Sequence, residues 1–296
     1  MPKGSRQVSA IGFSCNDKFL AACDMSDKLI VHVFDLTSDD QAPVSDVQIN
    51  EKVLHLAWNP FEAKQFATVG KDHMILCNFS DGKTKSNKGS MGNKLISHSS
   101  VAWSQNPSNS STLFTGGADG KVHIWNGATL GKAAEVCKGA VHSVCSVFDN
   151  GTEMVYAGGN DKNITILKLS GKVLEKTSVI EADGVPRSID VFNGSILCGL
   201  KSGNIVTSTL KEAKLTTVLR SHCDGECWGL EVIHLDGGEI RILSAADDNR
   251  ILAYDLTKRG ALAEGLVNID APTKKKKKKK AVRGGASSMS SLPAEC

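Results

Sequence analysis

Short apolar runs, each the length of a strand, alternate with polar turn clusters along most of this chain. Val8–Phe13, Phe19–Cys23 and Leu29–Phe34 form one such series, with Asn16–Asp17 marking the first turn. Period-two alternation in runs this short predicts antiparallel strands joined as meanders. No segment carries the periodicity of a long amphipathic helix. The series then recurs. Small residues, a polar turn and an alternating strand appear at Thr115–Trp125, Ala157–Leu167 and Ser244–Tyr254, and weaker copies end at Phe34, Cys77 and Ser208. The six end points lie 43, 48, 42, 41 and 46 residues apart. A repeat of roughly 40–50 residues built from short strands is the mark of propeller blades, small sheets that bury their faces only against one another.

With Trp-Asp-like endings at Phe34-Asp35, Trp125-Asn126 and Tyr254-Asp255, the pattern predicts an all-β fold, a WD40-type β-propeller with six recognisable blades. The blades run from about Val8 to Leu36, Val47 to Phe79, Ser97 to Trp125, Ala140 to Leu169, Val185 to Leu210 and Trp228 to Leu256. Asp81–Asn93 has no apolar periodicity and is expected to be an exposed loop between blades two and three. From Gly260 the strand pattern fades. The expected division is a propeller over residues 1–259 and a flexible basic tail over 260–296, disordered from about Thr273.

Charge changes the picture at that tail. Residues 274–296 hold eight of the 35 bases and one of the 32 acids, which leaves 27 bases and 31 acids elsewhere. The tail stands at +7 and the rest at −4. Seven consecutive lysines, Lys274, Lys275, Lys276, Lys277, Lys278, Lys279 and Lys280, make a polycation that attracts dense polyanions. No interleaved aromatics or folded nucleic-acid module accompany it, so no specific nucleic acid is expected as a partner. No membrane partner is expected either, because no amphipathic helix, lipidation site or apolar span adjoins the lysines. No secretory signal pattern opens the chain. The nine cysteines are odd in number and scattered through apolar runs, as free thiols in a reducing compartment would be.

The repeated polar residues invite two readings. Asp119, Asp161 and Asp248 each lie six residues before the strand anchors Trp125, Leu167 and Tyr254. An aspartate there can accept backbone hydrogen bonds in a tight turn and orient a histidine. His222, Ser244, Asp248 and Tyr254 form the fullest set, and a Ser–His–Asp catalytic arrangement is one way to read them. Recurrence of the pattern in degraded form in every blade favours a structural network instead. His222, Cys223 and Cys227 have a spacing that could supply metal ligands but lack a matching second pair, so no metal is expected. Phosphate-loop, nucleophile-elbow and zinc-helix motifs are absent from the sequence. The expectation is a protein that is not an enzyme and uses no cofactor.

A family resemblance adds to this. Glu226–Val232, Glu-Cys-Trp-Gly-Leu-Glu-Val, preceded by Ser221-His222, resembles the glycine–histidine and glutamate-leucine-tryptophan-glycine-leucine signature of the echinoderm microtubule-associated protein-like family. Cys15–Asp24, His32–Asp35, Ala57–Pro60, Val69–His73, Gly139–Thr152, Val185–Ile189 and Cys198–Val206 are similar to successive parts of that family's first propeller, in order, over roughly residues 7–256. The family also carries an N-terminal coiled coil, a hydrophobic motif and a second propeller. The expectation is a chain without that oligomerising segment.

The resemblance implies a cytoplasmic, cytoskeletal protein of the cilium or axoneme, with tubulin and microtubules as partners. The alternative is a scaffold or adaptor subunit of an unrelated complex. The family's first propeller resembles a seven-bladed ring, against six blades here. Residues 1–7 and 259–272 could supply the missing strands, or a neighbouring chain could complete the ring; the second is the reading we favour. Trp228 and the seven lysines are the candidate partner contacts.

Overall fold

In the computed structural model, the described residues are 7–25, 28–40, 42–80, 82–92, 95–192, 194–209, 214–222, 227–234, 237, 240–248, 250–255 and 267–270. They form six four-stranded antiparallel sheets, each a meander of consecutive strands. Blade one is β1 (Val8–Phe13), β2 (Phe19–Asp24), β3 (Ile30–Asp35) and β4 (Ser45–Gln48). Blade two is β5 (Val53–Trp58), β6 (Gln65–Gly70), β7 (His73–Ser80) and β8 (Lys83–Lys88). Blade three is β9 (His98–Trp103), β10 (Thr112–Gly117), β11 (Lys121–Asn126) and β12 (Thr129–Glu135). Blade four is β13 (Val141–Asp149), β14 (Thr152–Gly159), β15 (Asn163–Ser170) and β16 (Val173–Glu181). Blade five is β17 (Pro186–Phe192), β18 (Ser195–Leu200), β19 (Ile205–Thr209) and β20 (Thr216–Leu219). Blade six is β21 (Cys227–His234), β22 (Ile240–Ala246), β23 (Arg250–Asp255) and β24 (Val267–Asp270).

All six sequence anchors fall on the third strand of a blade, at Phe34, Cys77, Trp125, Leu167, Ser208 and Tyr254. The fourth strands are the part that the pattern hides. β8 has polar residues on both faces, so it shows no apolar alternation. β8, Lys-Thr-Lys-Ser-Asn-Lys, is exposed except at half-buried Thr84, and it replaces the loop expected over Asp81–Asn93. β24 pairs with β23 from Val267↔Ala253 to Asp270↔Arg250, inside the stretch expected to be tail. The lysine run lies outside the described residues.

Two compact units divide the chain, Met1–Lys201 with Val206–Thr216 and Ser202–Ile205 with Thr217–Cys296. In the first unit the core sits between blades rather than within any one of them. Phe19, Val31, Val33, Leu56, Trp58 and Phe66 pack together from blades one and two. Ala67, Met74, Leu113 and Trp125 do the same for blades two and three. Further clusters join blade three to four and four to five. Middle strands are therefore covered on both faces, which is why β6 and β10 are buried along nearly their whole length. The first strands of these blades, β1, β5, β9, β13 and β17, lie next to one another in succession.

Hydrogen bonds repeat with the blade period. The Trp58 indole N–H donates to Gly12 O at 2.7 Å, and Trp103 donates to Ala57 O at 2.9 Å. The Ile189 N–H donates to Ser143 Oγ at 2.9 Å across the next interval but one. Glycine is required where the chain turns tightly between strands. Gly120 has φ +79° and a Cβ there would lie 2.2 Å from Cys137 O.

Candidate functional site

The repeated aspartates do the same local job in three blades. Asp119 Oδ1 accepts the N–H of Lys121 at 3.3 Å, Asp161 Oδ1 that of Asn163 at 3.2 Å, and Asp248 Oδ1 that of Arg250 at 3.1 Å. Each closes the turn into a third strand. Beyond this shared bond the blades differ.

In blade six, His222 Nδ1 donates to Asp248 at 3.0 and 3.1 Å, and Nε2 lies 2.8 Å from Ser244 Oγ, which donates to it. Three of the four predicted residues are thus brought together. Tyr254 is placed on β23 opposite Ile242, and its side chain lies outside the described ones. The serine–histidine–aspartate connectivity matches that of a nucleophilic triad. Its setting does not suit one. Ser244 lies on the second strand of its sheet, paired with Leu230 on one side and Leu252 on the other, and is only 7 % exposed. An acyl substrate has to reach the nucleophile's oxygen, and a serine this buried gives it little room. Both ring nitrogens of His222 are engaged in hydrogen bonds; Cys223 and the Cys227 side chain lie outside the described residues.

In blade three the chain of bonds starts from the anchor. The Trp125 indole donates to Thr115 Oγ1 at 2.9 Å, and that oxygen lies 3.1 Å from His98 Nδ1. Asp119 does not continue the chain to His98. It accepts from His123 Nε2 at 3.0 and 3.2 Å, and the His123 ring meets His98 edge-on at 5.3 Å. His98 Nε2 is buried with no hydrogen-bond partner among the described residues. Burial, reinforced by the neighbouring His123, pushes the His98 pKa down to about 3. His73 is buried as well, and half-buried His142 bridges Asn160 and Arg187.

Two features were not picked out from the sequence. Glu153 is a carboxylate only 3 % exposed, and it accepts from Ser104 Oγ at 2.6 Å, Gln105 N at 2.8 Å and Ser146 Oγ at 2.7 Å. It ties the loop after β9 to blade four. The second is a series of aromatics, Phe13, Trp58, Trp103, Phe148 and Phe192, near the ends of the first strands and 45, 45, 45 and 44 residues apart. The spacing is regular in the sequence, but it marks the first strands rather than the third-strand anchors. Trp58, Trp103 and Phe148 line a cavity of about 500 Å³ in the first unit, with Cys145 and Asp190 on its wall. Cys145 is no nucleophile there: burial first, then the Asp190 charge, push its thiol up to about 11. Burial holds Cys23, Cys77 and Cys198 at about 12.

Trp228 sits on β21 where the ladder to β22 shifts register, between the pairs Cys227↔Ala246 and Gly229↔Ala245. Its side chain and Lys274–Lys280 lie outside the described residues, so their expected contact role has no geometry here.

Known proteins carry the same repeat. The family "WD domain, G-beta repeat" matches residues 89–126, which take in β9, β10 and β11 of blade three. Over 305 residues the chain is 31 % identical to the ciliary WD repeat-containing protein ctxp80 of Euplotoides octocarinatus, covering 100 % of this chain and 39 % of that protein. It is 25 % identical over 264 residues to the 77 kDa echinoderm microtubule-associated protein of Strongylocentrotus purpuratus, covering 84 % of this chain and 36 % of the relative. Echinoderm microtubule-associated protein-like 1 of Homo sapiens is 25 % identical over 256 residues, with 84 % of this chain and 30 % of the relative aligned. The chain thus spans between 30 % and 39 % of the length of these relatives. The ordered motifs, the six blade-type sheets and these alignments agree: the chain is a WD-repeat protein similar to a ciliary WD-repeat protein and to the echinoderm microtubule-associated proteins.

Proposed function

We propose that this chain is a non-enzymatic binding protein of the microtubule cytoskeleton that serves a structural role in the cilium or axoneme. The observation that carries the reading is the alignment along the whole chain to a relative named as ciliary, supported by alignments to relatives named as microtubule-associated. The physical setting suits it. Blades with their core between sheets offer rigid rims and loops, and the serine of the nucleophile-like set in blade six is buried. Within this reading the aspartate-centred networks lock turns to strands, and a neighbouring chain completes the ring. The lysine run adds an electrostatic attraction to the acidic surface of the polymer, which salt would screen.

Co-sedimentation of the purified chain with taxol-stabilised microtubules tests this. Saturable pelleting is expected, and truncation after Pro272 should weaken it at low salt and leave it nearly unchanged at high salt. Absence of pelleting at every salt concentration, together with recovery of unrelated subunits from cell extract, would instead support the scaffold reading.

A further inference from the structure

The outer strand of blade two differs in charge from every other described outer strand. β8 holds Lys83, Lys85 and Lys88 and no acid. β4 holds one acid and no base, β12 one of each, β16 one base and two acids, β20 neither, and β24 one acid. All three β8 lysines are exposed. The strand is held on one side only, through pairs such as Ser80↔Lys83, Asn78↔Lys85 and Ile75↔Lys88, and ends its sheet. Among the described residues no strand pairs with its far side, so that edge presents backbone donors and acceptors to solvent.

The two faces of β8 are used differently. Thr84 turns toward blade one, where its hydroxyl lies 2.9 Å from Ser45 Oγ. Alternation puts Lys83 and Lys85 together on the opposite face, about 7 Å apart. At the start of the strand, Gly82 borders a groove of about 480 Å³ that also holds Lys18, Phe19, Lys64 and Phe79. Asp35 is the acid in that groove, and it lies 3.9 Å from Lys18.

We propose that β8 is the docking edge for an extended acidic peptide of a partner protein, which adds to blade two as a fifth strand. Backbone pairing along the free edge supplies the affinity. Carboxylates at alternate positions of the peptide repeat at the spacing of Lys83 and Lys85 and meet them side by side. Lysines on an edge also discourage edge-to-edge aggregation. The other five outer strands carry at most one lysine each, so three on β8 exceed what that protection requires here. The inference stands apart from the microtubule reading, since it concerns only this chain and a peptide.

The test uses the full chain and a labelled ten-residue peptide of alternating Glu and Thr, with alternating Gln and Thr as its uncharged control. Binding is read by fluorescence anisotropy and by amide hydrogen exchange. The acidic peptide is expected to bind and to protect amides within residues 83–88, and the Gln peptide to bind more weakly. Lys83→Gln with Lys85→Gln should weaken binding at least about fivefold. Lys83→Arg with Lys85→Arg should keep it, which guards against a folding artefact. Lys274→Gln with Lys275→Gln removes the same charge from the tail and should change binding less than about twofold. The proposal is overturned if the acidic peptide does not bind, if the tail pair matters as much as the β8 pair, or if a single-stranded DNA of equal charge binds as well without protecting β8.

Discussion

In blade six a histidine is held at both ends. Asp248, whose side chain is 1 % exposed, accepts the hydrogen bond of His222 Nδ1–H, and Ser244 Oγ lies against Nε2. In blade three the corresponding residue types are present but wired differently. Asp119, 34 % exposed, bonds to His123 four residues on, and His98 keeps only its contact with Thr115. The missing bond is compensated by packing. Trp125 is fully buried, donates to Thr115, and lies edge-on to His98 at 5.7 Å. A blade can thus be closed by a polar chain running from carboxylate to hydroxyl, or by a large aromatic that fixes the hydroxyl while the carboxylate looks after its own turn. The first concentrates the interaction on a buried charge, and the second spreads it over apolar surface.

That difference predicts where each blade breaks. The largest effect should come from Trp125→Ala, which opens a cavity between blades two and three and removes one of the two partners of Thr115 Oγ1; a loss of about 3–5 kcal/mol is expected in urea denaturation. Asp248→Ala comes next. It leaves the His222 Nδ1 proton and the Arg250 N–H unpaired in a covered site, at a cost of about 2–3 kcal/mol. If Trp125→Ala costs less than Asp248→Ala, blade three does not rest on its aromatic.

Acid separates the two blades further. His98 is pushed down to about 3 by burial in the folded chain, whereas an unfolded histidine titrates near 6.5. Between those values the unfolded chain binds the extra proton. The stability from a neutral His98 is therefore complete above about pH 6.5 and is lost as pH falls toward 3, amounting to about 2 kcal/mol by pH 5. His73 in blade two is also lowered by burial and adds to the slope in the same sense. Denaturation midpoints at pH 7 and pH 5 should differ less for His98→Gln than for the parent. An unchanged slope would mean that His98 can be charged in place.

Much of this wiring was readable in the chain, and what escaped has a physical reason. The third strands announced themselves through Trp125, Leu167 and Tyr254 because strands covered on both faces need a run of apolar residues. Asp119, Asp161 and Asp248 were legible as turn residues for the same reason in reverse, since a tight turn needs an acceptor near its own backbone. The outer strands β8 and β24 were not, because their pairing is made by backbone atoms that every residue carries. Glu153 could not be found either, since its three donors lie 49, 48 and 7 residues away and nothing local marks a glutamate as buried. The choice of His123 over His98 by Asp119 likewise depends on distances across a folded sheet.

The smallest expected effect tests the comparison most directly. Asp119→Ala removes bonds to Lys121 N and His123, yet the site is open enough for water to take up both donors. The expected cost is below about 1 kcal/mol. A double-mutant cycle with His123→Ala should return a coupling of only a few tenths of a kcal/mol, against about 1 kcal/mol or more for the Asp248 and His222 pair, the usual scale for a hydrogen bond to a partly exposed and to a covered carboxylate. Equal couplings would show that exposure does not decide the strength of these networks. The two blades would then have to be treated as one design with different spelling, and the aromatic in blade three as an addition to the polar chain rather than its substitute.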